Sequence, residues 1–121
     1  MSGEESNLST LQAIRSCCEA LEDKKAVDLV VLDMRGKSTI TDFFILATGN
    51  SDSQLRAMRI ALEGVFKTEQ IELLGVEFEP RSGWLVVDGF DFMIHLFLPE
   101  QREFYNLDLL WKDASPINWK E

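Results

Sequence analysis

A chain of 121 residues, 45% hydrophobic and 27% charged with only three prolines, is long enough to form one domain with a true core. Twenty-one acids against twelve bases give a net charge of −9, the wrong sign for electrostatic binding to a phosphate backbone, and Lys24-Lys25 is the densest basic cluster. The first seven residues carry two acids and no apolar run, and Leu29–Leu32 and Phe43–Ala47 are too short to cross a bilayer. No signal peptide or Arg-rich transit peptide is therefore expected, and the chain reads as cytoplasmic.

Leu8 to about Leu21 reads as a helix, with Leu11, Ile14, Cys18 and Leu21 at spacings of three and four. Ser9 and Gln12 have the spacing of a capping box at its start. Cys17 and Cys18, the only cysteines, are adjacent; they neither bridge easily nor build a zinc site, and read as free thiols on this helix. Asp28 to Met34 reads as a buried strand, Arg35 to Ser38 as a turn, and Phe43 to Thr48 as a second strand. Gly49-Asn50 breaks that strand. A second helix follows to about Thr68, opened by the capping pair Ser51 and Gln54 and striped by Leu55, Met58, Leu62, Val65 and Phe66.

Glu69 to Ser82 is less legible, with a short strand expected over Val76–Glu79 before Pro80. Trp84–Asp88 and Phe92–Leu98 read as strands joined by the turn Asp88-Gly89-Phe90-Asp91. Gln101 to about Trp111 reads as one or two short helices, and Lys112 to Glu121 lacks periodicity. The sum is a single α/β domain over 8–114, a mixed β-sheet packed by helices, with flexible tails at 1–7 and 115–121.

Few familiar catalytic patterns are present. There is no phosphate loop, no His-Glu-x-x-His and no Cys-x-x-Cys, and the single histidine argues against a Ser-His-Asp triad. Gly49-Asn50-Ser51 at a strand-to-helix junction, with Asp33, Asp88 and Asp91 near strand ends, loosely resembles how nucleotidyltransferases hold phosphates and metals. No Asp-x-Asp follows, however, and aspartates at turns more often accept backbone hydrogen bonds. A metal-dependent nucleotidyltransferase is thus the weaker alternative.

A second constellation lies between Trp84 and Trp111, with His95, Phe97, Arg102, Phe104 and Tyr105 among its members. Trp, Tyr and Arg dominate interface hot spots. For Phe97 and Phe104 a core role is the better reading; for Trp84, Arg102 and Tyr105 core and interface stay open. Strand alternation puts Met93, His95 and Phe97 on one face, where a lone histidine is more often structural than a ligand.

These same residues resemble the ribosomal silencing factor (Iojap) family. Asp28 to Ser38, then Thr41-Asp42-Phe43-Phe44-Ile45 and Ala47-Thr48-Gly49, look like its first half. Gly83-Trp84, Val86-Val87-Asp88, Ile94-His95, Arg102-x-x-Tyr105-x-Leu107 and Leu110-Trp111 look like its second. The resemblance implies a nucleotidyltransferase-like fold without the catalytic motif, no enzymatic activity and no cofactor. It implies binding to the large ribosomal subunit through universal large-subunit protein fourteen, steric exclusion of the small subunit and repression of translation. A role in large-subunit assembly is the alternative it leaves open, and a homodimer is implied for the free protein. The partner-binding residues are expected to be Trp84, Asp88, His95, Arg102, Tyr105, Asp108 and Trp111. The chain departs from the family pattern at three places. Gly89 precedes Phe90 where the family has an apolar residue and then glycine, Asn50 replaces a common threonine, and the segment after Ala114 with Trp119 has no counterpart.

Overall fold

The computed structural model describes residues 3–36, 41–78, 82–101 and 114–120. Along the chain run α1 (Gly3–Asp23), β1 (Val27–Asp33), β2 (Phe43–Thr48), α2 (Asp52–Thr68), β3 (Gly75–Phe78), β4 (Trp84–Asp88), β5 (Phe92–Phe97) and β6 (Ser115–Pro116). The six strands form one sheet in the order β3-β4-β5-β2-β1-β6. Among the described residues only β2 and β5 pair in parallel; the chain leaves β2 through α2, builds β3 and β4 outward, and returns as β5 between β4 and β2. This is the mixed α/β sheet that the order of elements predicts.

One face of the sheet carries both helices. Ile14, Cys17, Cys18 and Leu21 of α1 and Leu55, Met58, Leu62 and Phe66 of α2 close over Val31, Ile45, Val87, Ile94 and their neighbours. Each such fully buried large side chain contributes about 1.5–3 kcal/mol of transfer free energy. Cys17 and Cys18 are free and buried; burial raises both thiols, Cys18 to about 12, so neither forms a reactive thiolate in the native state. Every residue of β2 is buried, so this central strand is covered on both faces.

The second helix starts as its sequence predicts. Ser51 accepts from the Gln54 backbone N–H at 3.1 Å, while the Gln54 side chain accepts from Asn50 rather than from Ser51 itself. The Gln54 amide also donates to the carbonyls of Lys24 and Lys25, each at 3.0 Å, tying the start of α2 to the end of α1. The first helix differs from expectation. It begins at Gly3, which places Ser9 and Gln12 inside it rather than in a capping box. Leu11, read as part of the apolar stripe, is 37% exposed, and the buried face is carried by Ala13, Ile14, Cys17, Cys18 and Leu21.

The segment after Ala114, read as an aperiodic tail, is paired to the sheet. Ser115 and Pro116 lie antiparallel to Leu32 and Asp33, the Ile117 N–H donates to Val31, and Ile117 and Trp119 pack on the helix-side core. Two paired residues are too few to show a sequence period. The helix expected over Gln101–Trp111 falls almost wholly outside the described residues.

The β4–β5 turn explains the inverted Gly-Phe order. A Cβ on Gly89 would stand 3.0 Å from the Phe66 ring and 3.2 Å from Phe92, so any larger residue requires those rings to give by a few tenths of an ångström. Phe90 then carries the positive φ, +74°, with the Asp91 N–H donating to the Gly89 carbonyl across it. That is the strained, positive-φ γ-turn, on a side chain 64% exposed. Phe90→Gly is therefore expected to stabilise the chain by about 1 kcal/mol in urea unfolding. An unchanged or lower midpoint would show that the Phe90 ring contributes more than its backbone costs.

Candidate partner-binding face

The face of the sheet turned away from α1 and α2 gathers the unusual side chains. Across the antiparallel β4–β5 pair, Trp84 stands opposite Phe97, Val86 opposite His95, and Asp88 opposite Met93. Alternation turns all six to the side away from α1 and α2. Over β2 and the near half of β5 this face is closed, with Phe44, Leu46 and Phe97 buried. Toward β4 and β3 it opens: Trp84, Val86, Asp88 and Met93 are half-buried. They line a cleft of about 380 Å³ together with Leu74, Gly75 and Glu77.

Trp84 has two parts to play. Its ring packs against Phe97 with centroids 5.3 Å apart, and its indole N–H donates to Nδ1 of His95 at 3.2 Å. His95 is 5% exposed, edge-on to Phe44 at 5.0 Å and stacked on Phe97 at 6.0 Å. Because Nδ1 accepts, the neutral ring carries its proton on Nε2. Burial pushes its pKa down to about 4, so the ring stays neutral at physiological pH. His95 is thus the support beneath Trp84 rather than an exposed contact. One side of Trp84 belongs to the small core of this face and the other lines the cleft.

The three aspartates of the catalytic alternative do not converge. Asp33 is held by Arg35 through two side-chain hydrogen bonds of 2.9 and 2.7 Å and also accepts the Arg35 backbone N–H. Asp88 caps its turn by accepting from the Phe90 N–H at 3.1 Å, and Asp91 faces the hydroxyl of Thr10 at 3.5 Å. Strands β2 and β5 separate Asp33 from Asp88, roughly 14 Å at ordinary strand spacing. Among the described residues no three His, Cys, Asp or Glu side chains are grouped to hold a metal ion. Among them, too, no helix is long and apolar enough to cross a membrane.

Of the expected site residues, Trp84, Asp88 and His95 come together on this one face. Arg102, Tyr105, Asp108 and Trp111 lie outside the described residues. The sequence pattern did not single out Glu77 of β3 or Leu74 just before that strand, which also border the cleft. Leu73-Leu74, an apolar pair outside any period, was the available signal; Leu74 is 49% exposed.

Similarity to known proteins extends over nearly the whole chain. The family described as "Ribosomal silencing factor during starvation" matches residues 7–121. The "Ribosomal silencing factor RsfS" of Halalkalibacterium halodurans is 34% identical over 110 residues, covering 91% of this chain and 94% of that protein. A mouse relative, "Mitochondrial assembly of ribosomal large subunit protein 1", is 33% identical over 94 residues, 75% of this chain and 41% of its own length. A crystal structure of a Chromobacterium violaceum protein superimposes with a TM-score of 0.79 at 30% identity, over 84% of each chain. With a match of this extent and a shared fold, the chain belongs to the ribosomal silencing factor family.

Proposed function

We propose that this chain binds the large ribosomal subunit through universal large-subunit protein fourteen and bars the small subunit by occupying its docking surface, so repressing translation. The family match from residue 7 to residue 121 is the observation that carries this reading. Steric exclusion asks for a bound body and no chemistry, and a standard interface of about 800 Å² per partner is enough. The open face supplies a fitting surface, with Trp84 as its anchor and His95 holding Trp84 in place. Arg102, Tyr105, Asp108 and Trp111 complete the proposed contact. Asp88 and Asp108, in a chain of net charge −9, steer it toward a basic ribosomal protein and mainly raise the association rate.

The site acts by occupancy rather than catalysis, in the cytoplasm where ribosomal subunits join. Asp33, Asp88 and Asp91, each engaged with a different partner, support that reading. The test is cosedimentation with isolated subunits: the protein travels with the large and not the small. Migration with the small subunit alone would overturn the proposal. A second reading, work in large-subunit assembly at the same surface, is favoured by the name of the mouse relative. It predicts large-subunit precursors accumulating on depletion, whereas silencing alone predicts a normal subunit ratio. The free chain is further proposed to form a homodimer, which equilibrium sedimentation would detect.

A further inference from the structure

The two edges of the sheet are finished differently. At the β1 edge, β6 covers Leu32 and Asp33 with a proline-containing strand. Beyond it the register of β1 breaks between Val27 and Val30, with Asp28 at φ +51°. A bulge, a proline and a short covering strand are the usual means of refusing further pairing. The β3 edge has none of these over Gly75–Phe78, and among the described residues no strand lies outside it.

The hydrogen-bond register shows which groups face out. Gly89 donates to Phe92 and Leu98 donates to Gly83, so the alternate residues of β4, Val86 and Asp88, turn their backbone groups toward β3. Asp88 accordingly accepts from Leu74. Their partners in register are Glu77 and Gly75. The N–H and C=O groups of Val76 and Phe78 therefore point away from the sheet, spaced as one rung of a further ladder. Val76 and Phe78 turn their side chains to the helix-side core, leaving Gly75 and Glu77 beside the cleft. A Cβ on Gly75 would meet nothing within 4 Å, so the surface above it is open.

We infer that the outer edge of β3 receives an extended, basic segment of the ribosomal partner as an added strand. The inference rests on the ribosome-binding reading above and names the part of the partner that is recognised. Main-chain pairing at Val76 and Phe78 supplies register, and alternate side chains of the incoming segment reach over Gly75 to the cleft. The charge selects the occupant: the charged residues lining the cleft are Glu77 and Asp88, both acidic, with Glu72 exposed just before the strand. Lysine or arginine on the incoming strand would lie opposite them. A second copy of this chain would instead set Glu77 against an equally acidic edge, which disfavours it as the occupant.

Val76→Pro tests the inference, since proline removes the outward N–H and leaves the β3–β4 ladder intact. Val76→Ala is the control, losing side-chain packing but keeping that N–H. With purified large ribosomal subunits as the probe, the wild type cosediments, Val76→Ala binds nearly as well, and Val76→Pro binds at least tenfold more weakly. In wild type, hydrogen exchange at the Val76 and Phe78 amides slows when large subunits are added; this readout decides the matter if the proline variant fails to fold. Equal binding by the two variants, or unchanged exchange at both amides while the wild type binds, overturns the inference and leaves the ribosome reading standing. No wild-type binding overturns both.

Discussion

Trp84→Ala is expected to weaken binding to the large ribosomal subunit about a hundredfold while leaving the chain folded. A tryptophan near the centre of an interface commonly contributes 2 kcal/mol or more, and about 2.7 kcal/mol corresponds to a hundredfold. The substitution also removes the ring that packs on Phe97 and the donor to His95 Nδ1. Because Trp84 is half-buried, the stability cost should be about 2–3 kcal/mol, below that of a fully buried aromatic. A domain of ordinary stability survives that loss. Trp84→Phe separates the two roles: it keeps a ring over Phe97, loses the indole donor, and should cost about 1–2 kcal/mol of stability with a smaller loss of binding. Trp84→Glu is a poorer probe than an exposed anchor would make it, since it sets a carboxylate against the nearly buried His95. Cosedimentation titrations together with urea unfolding read both quantities. If the alanine variant binds like the parent, Trp84 is only a lid over His95 and the partner contacts lie elsewhere.

His95 gives the second large effect, on stability against pH. Its folded pKa of about 4 lies below the ordinary value of 6.5, so between these the unfolded chain takes up a proton that the folded chain refuses. The stability conferred by the neutral, buried ring is complete above about pH 6.5 and lost as pH falls toward 4, a span of roughly 3 kcal/mol. Protonation would also make Nδ1 a donor facing the Trp84 indole donor, so the two groups would no longer pair. His95→Asn retains an acceptor for the indole and does not titrate. Urea unfolding from pH 7 to pH 4 should show a gentler decline for the variant, the carboxylates contributing alike to both chains. Parallel curves would mean that His95 gains solvent or a counter-charge on acidification.

Elements with a strong local period were legible in the sequence. The Ser51 cap, the Leu55-Met58-Leu62-Phe66 stripe and the apolar run of β2 each write their structure over a few neighbouring residues. Ser9 misled because its spacing to Gln12 copies a capping box, although nothing breaks the helix on its N-terminal side before Gly3. Ser115 and Pro116 carry no period, and their strand exists only because β1 offers an edge. The face was half legible. Alternation along β5 puts Met93, His95 and Phe97 together, and Trp84, Val86 and Asp88 form the matching row on β4. That Trp84 meets His95, and that Glu77 and Leu74 border the same cleft, depends on the register between strands. Cross-strand register is set by the whole sheet, so no local pattern announces it. The steric demand at Gly89 is of the same kind, because it comes from Phe66 on the other side of the core.

The most direct test is sedimentation of purified large and small subunits, at a magnesium concentration that joins them, with and without this protein. The protein is expected to migrate with the large subunit, and the peak of joined ribosomes to decline as protein is added. Migration with the large subunit while joined ribosomes persist, at saturating protein, would contradict exclusion of the small subunit and leave assembly as the better account.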